Sequence, residues 1–295
     1  MKKIFCITCH QLTSPLTLTV KYLSSFDSNQ ILIHVDKKSD INDFLFLESS
    51  NVVVLNDRVN VSWGAVSQIK ATLLLLSKAS QIDFDYLFFL SGDDLPCMRN
   101  EDIDAFIERI NYKNMIHYQD SRNNHVDPIG RVKYNYPAFF FSKENNLNIK
   151  VKRKAFSVFK FLFKSSHYKY AKEKGVVFYK GTNWFSFNRK TVGDVLEFVT
   201  NNNWYLNVFE QSLCGDEVFF HTLLKFIGVD DIFHDPEKVN DVLRYIDWST
   251  GPDYPRILNG TDLYRIKKSG CIFARKFPHR HAEGIFLQRY TLISL

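Results

Sequence analysis

Hydrophobic positions in the first half of the chain fall alternately into short runs and longer, helically spaced sets. Residues 3–8 form a short apolar run, 14–25 carry helical spacing, and Ile31-Leu32-Ile33-His34-Val35 predicts a second strand ending at Asp36. A third strand is expected at 52–55. Residues 66–77 follow as a helix with Ala71, Leu74 and Leu75 on one side. Tyr86-Leu87-Phe88-Phe89-Leu90 reads as a fourth strand that stops at Ser91-Gly92-Asp93-Asp94. Strands and helices taking turns predict an α/β fold with a mostly parallel central sheet and helices on both faces. Ligands of such sheets bind beyond the carboxyl ends of the strands, which is where Asp36 and the Gly92–Asp94 turn fall.

From 112 to 174 the pattern is less regular and richer in Lys, Asn and aromatic residues. Regularity returns at 176–179 and 181–189, followed by helices expected at 190–200 and 216–226. After Asp247 the chain is rich in turn formers, through Gly251-Pro252 and Tyr254-Pro255, before a basic tail containing Arg275-Lys276. Neither a linker nor a repeat interrupts the sequence. It therefore reads as one domain over 1–295, with a basic insertion at 112–174 between a half at 1–111 and another at 175–295.

Composition changes this picture in three places. Hydrophobic residues at 45% and charged residues at 24% place the chain among folded globular proteins, and 27 Phe with 14 Tyr can fill a large core. The net charge of +6 is local, since 143–174 holds ten Lys/Arg against two Glu. One such patch without a recognition motif argues against nucleic acid as the partner. The N-terminal apolar run is too short for a signal peptide, and no stretch of about 18 apolar residues predicts a membrane span. Five scattered cysteines make no disulfide framework, so a cytoplasmic location is expected. Cys6-Ile7-Thr8-Cys9-His10 matches a haem-attachment pattern literally, but it overlaps the first buried strand, where Cys serves as a small hydrophobe.

Candidate chemistry lies in the acidic residues. Asp36 is placed to accept hydrogen bonds from a nucleotide base or ribose, or to cap the turn before Lys37-Lys38-Ser39. Asp93-Asp94 follows a central strand but lacks the spacing of a D-x-D metal motif. Asp83-Phe84-Asp85 has that spacing at the wrong end of the strand, and Asp102-Ile103-Asp104 falls in a helix. No metal is therefore expected. Asp216-Glu217 opens a helix, where acids suit the helix dipole and where a general base could equally be held. Between 154 and 174, Phe156, Phe159 and Phe163 recur at helical spacing among Lys160, Lys164 and Lys169. Such a stretch either packs its Phe face on the core or lies on an anionic membrane surface.

Taken in order, Ile33-His34-Val35-Asp36-Lys37-Lys38, Val61-Ser62-Trp63-Gly64, Phe89-Leu90-Ser91-Gly92-Asp93-Asp94-Leu95-Pro96 and Gly181-Thr182-Asn183-Trp184-Phe185-Ser186 match one family. So do Gly215-Asp216-Glu217, Leu243-Arg244-Tyr245-Ile246-Asp247-Trp248 and Phe273-Ala274-Arg275-Lys276-Phe277. The sequence resembles the core-2/I-branching β-1,6-N-acetylglucosaminyltransferases, a family that includes the peptide O-xylosyltransferases. The shared order covers about 3–280, and 112–174 matches no motif.

That resemblance implies a GT-A-like fold and an inverting transfer from a UDP-sugar, metal-independent in the branching members. The half at 1–111 would then bind the nucleotide, and 175–295 the acceptor and the catalytic groups. Glu217 matches the family's general base. Lys276 matches a lysine on the donor diphosphate and Arg256 its arginine partner, while Asp36 matches a uridine-contacting aspartate. Asp94, Trp63 and Gly64 are expected near the donor, and Trp248, Trp184 and Asp216 near the acceptor. UDP-N-acetylglucosamine is the preferred donor and UDP-xylose the next. The acceptor is expected to be a glycan, free or lipid-linked, in bacterial surface-polysaccharide synthesis. A metal-dependent transferase using Asp93 and Asp94, and an inactive glycan-binding module, are the alternatives.

Overall fold

The computed structural model describes residues 1–285 apart from 124, 143–145 and 252–254. Pro252 and Tyr254 of the turn-rich stretch, and Lys143 and Glu144 of the basic one, lie outside the described residues. The first half runs β1 (Lys3–Cys9), α1 (Ser14–Ser24), β2 (Asn29–Val35), β3 (Val52–Val54), α2 (Val66–Ala79) and β4 (Tyr86–Ser91). It continues through β5 (Leu95–Pro96), α3 (Asn100–Arg109) and β6 (Met115–Tyr118). An intervening stretch carries α4 (Ile129–Val132), α5 (Leu147–Phe159) and α6 (Ser166–Glu173). The remainder comprises β7 (Gly181–Asn188), α7 (Arg189–Asn201), α8 (Asn203–Asn207), α9 (Asp216–Phe226), β8 (Arg244–Ile246), α10 (Leu263–Ser269) and β9 (Phe273–Arg275).

Six strands form the central sheet in the order β3-β2-β1-β4-β7-β6. The first four are mutually parallel, and β7 runs against both β4 and β6. Alternate side chains of β1 supply two separate cores, because successive strand residues face opposite ways. Ile4 and Cys6 face α2, with Ile69, Leu75 and Leu76, and the same core takes in α7 and α9. Phe5 and Ile7 face α1 and α3, meeting Leu16, Val20 and Leu23 and then Ile103 and Ile107. Helices therefore cover both faces, and strands buried on both sides read as unbroken apolar runs. Cys6 and Cys9 belong to opposite cores, and burial drives both thiols up, Cys9 to about 12. Their C-x-x-C spacing in a strand points the two sulfurs apart, which rules out joint ligation.

Thr13 starts α1 by accepting the Leu16 N–H at 3.2 Å, with Pro15 in the first turn. The run at 176–179 joins no strand. It lies against α9, where Thr222 Oγ1 accepts the Tyr179 N–H at 3.0 Å. The insertion expected at 112–174 includes β6, a strand of the central sheet, whose four residues are too few to show a period. A second, small sheet of order β5-β9-β8 stands after the end of β4, joined there by the Cys97 N–H bond to the Ile272 carbonyl at 2.6 Å. It carries Arg244 and Arg275 towards the Ser91–Asp94 turn.

Candidate active site

Strands β1, β2 and β4 end nearly level, since Cys9 pairs with Val35 and Thr8 with Ser91. Asp36 is the first residue beyond β2. Its buried carboxylate accepts the Lys38 N–H at 3.0 Å and the Val61 N–H at 3.3 Å. Lys37 N–H donates to the Val59 carbonyl at 3.0 Å, so the 59–64 loop is stitched across the strand ends. Trp63 projects from that loop, half exposed, and Gly64 takes a positive φ of 70°. The Gly64 carbonyl accepts the Cys214 N–H at 2.7 Å, and a Cβ on Gly64 would stand 3.2 Å from Cys214 Sγ. This contact brings Trp63-Gly64 beside the turn that opens α9.

Asp216 and Glu217 form the first turn of α9. Asp216 is buried, and burial together with the neighbouring Glu217 charge pushes its carboxyl well above the usual range. Glu217 is partly exposed. Its Oε2 lies 3.0 Å from Lys180 Nζ and 3.7 Å from an Arg131 guanidinium nitrogen. Lys180 immediately precedes β7, and Arg131 comes from α4, whose carbonyl also accepts the Leu213 N–H at 3.0 Å. Asp216 Oδ1 and Thr182 Oγ1 are buried without a protein hydrogen-bond partner, the exception among buried polar atoms in folded proteins.

A second cluster centres on Asp93. Its carboxylate lies 3.1 Å from Lys276 Nζ, 3.2 Å from His279 Nε2 and 3.7 Å from the Arg275 guanidinium. Burial would raise this carboxyl, but the charges of Lys276, Arg275 and His279 outweigh it and hold Asp93 below the usual range. Asp94, expected near the donor, is fully enclosed beneath. It pairs with buried Arg244 at 2.7 Å and accepts the Ser91 N–H at 2.6 Å, which fixes the turn that presents Asp93. Trp184, expected near the acceptor, is buried against Phe89, with Arg244 and Arg275 each 4.3 Å from its ring centroid. Its faces serve these guanidinium groups.

One strand links the two clusters. Lys180, just before β7, holds Glu217, and Trp184 four residues on holds Arg275, a separation of roughly 13 Å along an extended chain. Arg256 stands apart from Asp93 and binds Asp247 at 2.8 Å and Asp262 at 2.5 Å. Its guanidinium pKa is raised, first by Asp262 and then by Asp247. Leu258 N–H donates to the Lys276 carbonyl at 2.7 Å, so the backbone of this segment still runs beside Lys276. Trp248, next to Asp247, is half exposed. The structure thus brings Gly64 against Cys214, three residues before Glu217, and Lys276 against Asp93, while Arg256 is held by its own acids. Lys180, Arg131 and His279 were not expected from the sequence. Each is a single basic residue outside the matched blocks, so only the three-dimensional arrangement reveals it.

Among the described residues, one group of acids and histidines is close enough to share a metal: His117, Asp120 and Asp241. Arg122 already fills it, 2.6 Å from Asp120 and 3.0 Å from Asp241.

Compared with known families, residues 5–269 match the model of the Core-2/I-Branching enzyme family. The chain belongs to that family. That family is one of glycosyltransferases, and the chain has the mixed α/β, GT-A-like fold expected of it. No curated protein matches it in sequence. Among solved structures, S. aureus TarS is 15% identical over 48% of this chain and 26% of that one, with a TM-score of 0.29. The chain therefore spans about a quarter of TarS. Mouse xyloside xylosyltransferase 1, in its apo form, is 10% identical over 95% of this chain and 98% of that one, with a TM-score of 0.36. A putative glucose-1-phosphate thymidylyltransferase from Bacillus anthracis, solved with a sucrose, is 15% identical over 70% and 83%, with a TM-score of 0.33.

Proposed function

We propose that this glycosyltransferase is an inverting enzyme that moves a sugar from a UDP-sugar to a hydroxyl of a glycan in bacterial surface-polysaccharide synthesis. The preferred donor is UDP-N-acetylglucosamine, with UDP-xylose second. Glu217 is the general base. The observation that carries this reading is its placement: a partly exposed carboxylate at the start of α9, steadied by Lys180 and Arg131, beside the Trp63-Gly64 loop. As the bond from sugar C1 to the diphosphate breaks, the acceptor oxygen attacks C1 and its proton passes to Glu217.

Negative charge then grows on the departing diphosphate, and fixed cations stabilise it without a metal. Lys276, Arg275 and His279 surround Asp93, and we assign the diphosphate to this cluster, with Asp93 as the carboxylate it displaces. Arg256 supports the Lys276 segment from its pairs with Asp247 and Asp262. A metal-dependent reaction on Asp93 and Asp94 is less well supported, because Asp94 is enclosed with Arg244 and Asp93 already faces cations. Asp36 and the loop it ties down are assigned to the uridine, and exposed Trp248 to the acceptor. We take the acceptor to be lipid-linked and the enzyme to work at the cytoplasmic face of a membrane. Among the described residues no helix is long and apolar enough to cross one.

Hydrolysis and binding of a panel of UDP-sugars, with EDTA or manganese, test the reading. Turnover of one donor should survive EDTA and fall at least about 100-fold in Glu217→Gln, with UDP affinity kept. Lys276→Ala should instead weaken UDP binding by roughly 10-fold or more, the usual worth of a charge-assisted bond. Loss of turnover in EDTA would overturn the metal-free mechanism. Failure to bind any UDP compound would overturn the donor class.

A further inference from the structure

Helix α5 is apolar on two opposite faces, and the protein covers only one of them. Ile149 and Phe156 are buried on the inner face, where the Phe156 ring meets those of Tyr136, Phe140 and Phe163 at 5.2, 4.9 and 5.1 Å. Leu147, Val151 and Val158 occupy the outer face at helical spacing. Phe159 and then Phe161 and Leu162, in the 3₁₀ turn Lys160–Phe163, extend that surface. Exposure of these six runs from 51% at Phe159 to 76% at Leu147. A single exposed hydrophobe needs no explanation, but a contiguous stripe along a helix does.

The surrounding charge selects the occupant. Residues 146–174 contain nine Lys/Arg and one acid, Glu173, so no acid interrupts the stripe from Leu147 to Leu162. Lys150, Lys152, Lys154, Lys160 and Lys164 are all exposed around it. Their long apolar stems can lie along the stripe while the ammonium groups reach outward. An apolar ridge about three to four turns long, ringed by one sign of charge, is the surface an amphipathic helix offers to an anionic bilayer.

We propose that the outer face of α5 and the turn that follows it seat this enzyme on a membrane rich in anionic lipid. The inner face explains why the helix stays folded when no membrane is present. The seat is also tied to the chemistry. Ser165 N–H donates to the Lys133 carbonyl at 3.0 Å and Asn135 N–H to the Phe163 carbonyl at 2.8 Å, two and four residues from the Arg131 that contacts Glu217. A lipid-borne acceptor would thus meet the site from the side on which the protein is docked. This last step rests on the proposed transfer to a lipid-linked glycan, whereas docking itself is measured without turnover.

The test is flotation of the full chain with phosphatidylcholine vesicles, with and without phosphatidylglycerol. Wild type should float with the anionic vesicles and stay behind with neutral ones. Val158→Asp with Leu162→Asp should lose flotation, and Lys150→Glu with Lys154→Glu should lose it as well. Both pairs should keep the wild-type melting temperature and UDP-sugar hydrolysis, because all four side chains are exposed. Equal recovery with neutral and anionic vesicles, or none with either, would overturn the proposal. So would a self-association of the chain that Val158→Asp with Leu162→Asp abolishes while flotation persists, because the stripe would then be a protein interface.

Discussion

Asp216 and Glu217 are adjacent in sequence and opposite in environment. Glu217 is partly exposed between Lys180 and Arg131, whereas Asp216 is buried with one oxygen unpartnered. Burial first, and the Glu217 charge second, favour the neutral form of Asp216 in the folded protein. Its folded pKa therefore lies above the unfolded value near 3.8, and the fold binds a proton that the unfolded chain has already lost. The contribution is fully present below the unfolded value and disappears as pH rises through the folded one. Wild-type melting temperature should carry a matching fall between these two values. Asp216→Asn removes the titrating group while preserving its shape, so the variant should show a shallower fall over the same window. Thermal melts across that range check this, and an unchanged slope would mean that Asp216 is already ionised in the fold.

At the scale of elements, β7 decides the geometry of the site. Its first residue, Gly181, has no room for a side chain: a Cβ there would stand 1.8 Å from the His117 carbonyl oxygen and 2.2 Å from His221 Nε2. The carbonyl belongs to the neighbouring strand β6 and cannot withdraw without breaking the sheet edge. Gly181→Ala should therefore lower the melting temperature by several degrees, about 2–4 °C for each kcal/mol lost in a chain of this size. It should also reduce turnover by moving Lys180 away from Glu217, and a melt paired with a donor-hydrolysis assay reads both.

The same elements separate what was legible in the sequence from what was not. Strands β1, β2 and β4 were readable to within about two residues because they are buried on both faces, and α9 was readable to the residue. Strands β5, β8 and β9 have two or three residues each and exist through tertiary pairing, so no local period announces them. The resemblance singled out Glu217 and Lys276, and the structure sets Glu217 beside Lys180 and Arg131 and Lys276 beside Asp93. Arg244 was not legible: its buried pairing with Asp94, and the cover both arginines give Trp184, depend on a small sheet that no pattern predicted. The basic segment was readable as amphipathic, but not as a helix with two apolar faces, because its inner partners Tyr136 and Phe140 come from a stretch without periodicity.

Charge at the scale of the whole molecule is unevenly divided. Residues 146–174 carry a net +8 in a chain whose total is +6, so everything else is slightly acidic. Such a molecule approaches an anionic surface with one face, and this attraction acts between exposed charges. Its reach is set by the Debye length, about 10 Å at 0.1 M salt and about 3 Å at 1 M. The cations around Asp93 are in a different position, because Arg275 is mostly buried and Lys276 partly so. Salt screens such pairs much less. Rising sodium chloride should then reduce transfer to an acceptor carried in anionic vesicles, while UDP-sugar hydrolysis in the absence of vesicles changes little. Measuring both rates on the same enzyme separates membrane delivery from donor binding. If the two fell together, salt would be acting at the donor site, and the basic face would have no part in bringing enzyme and acceptor together.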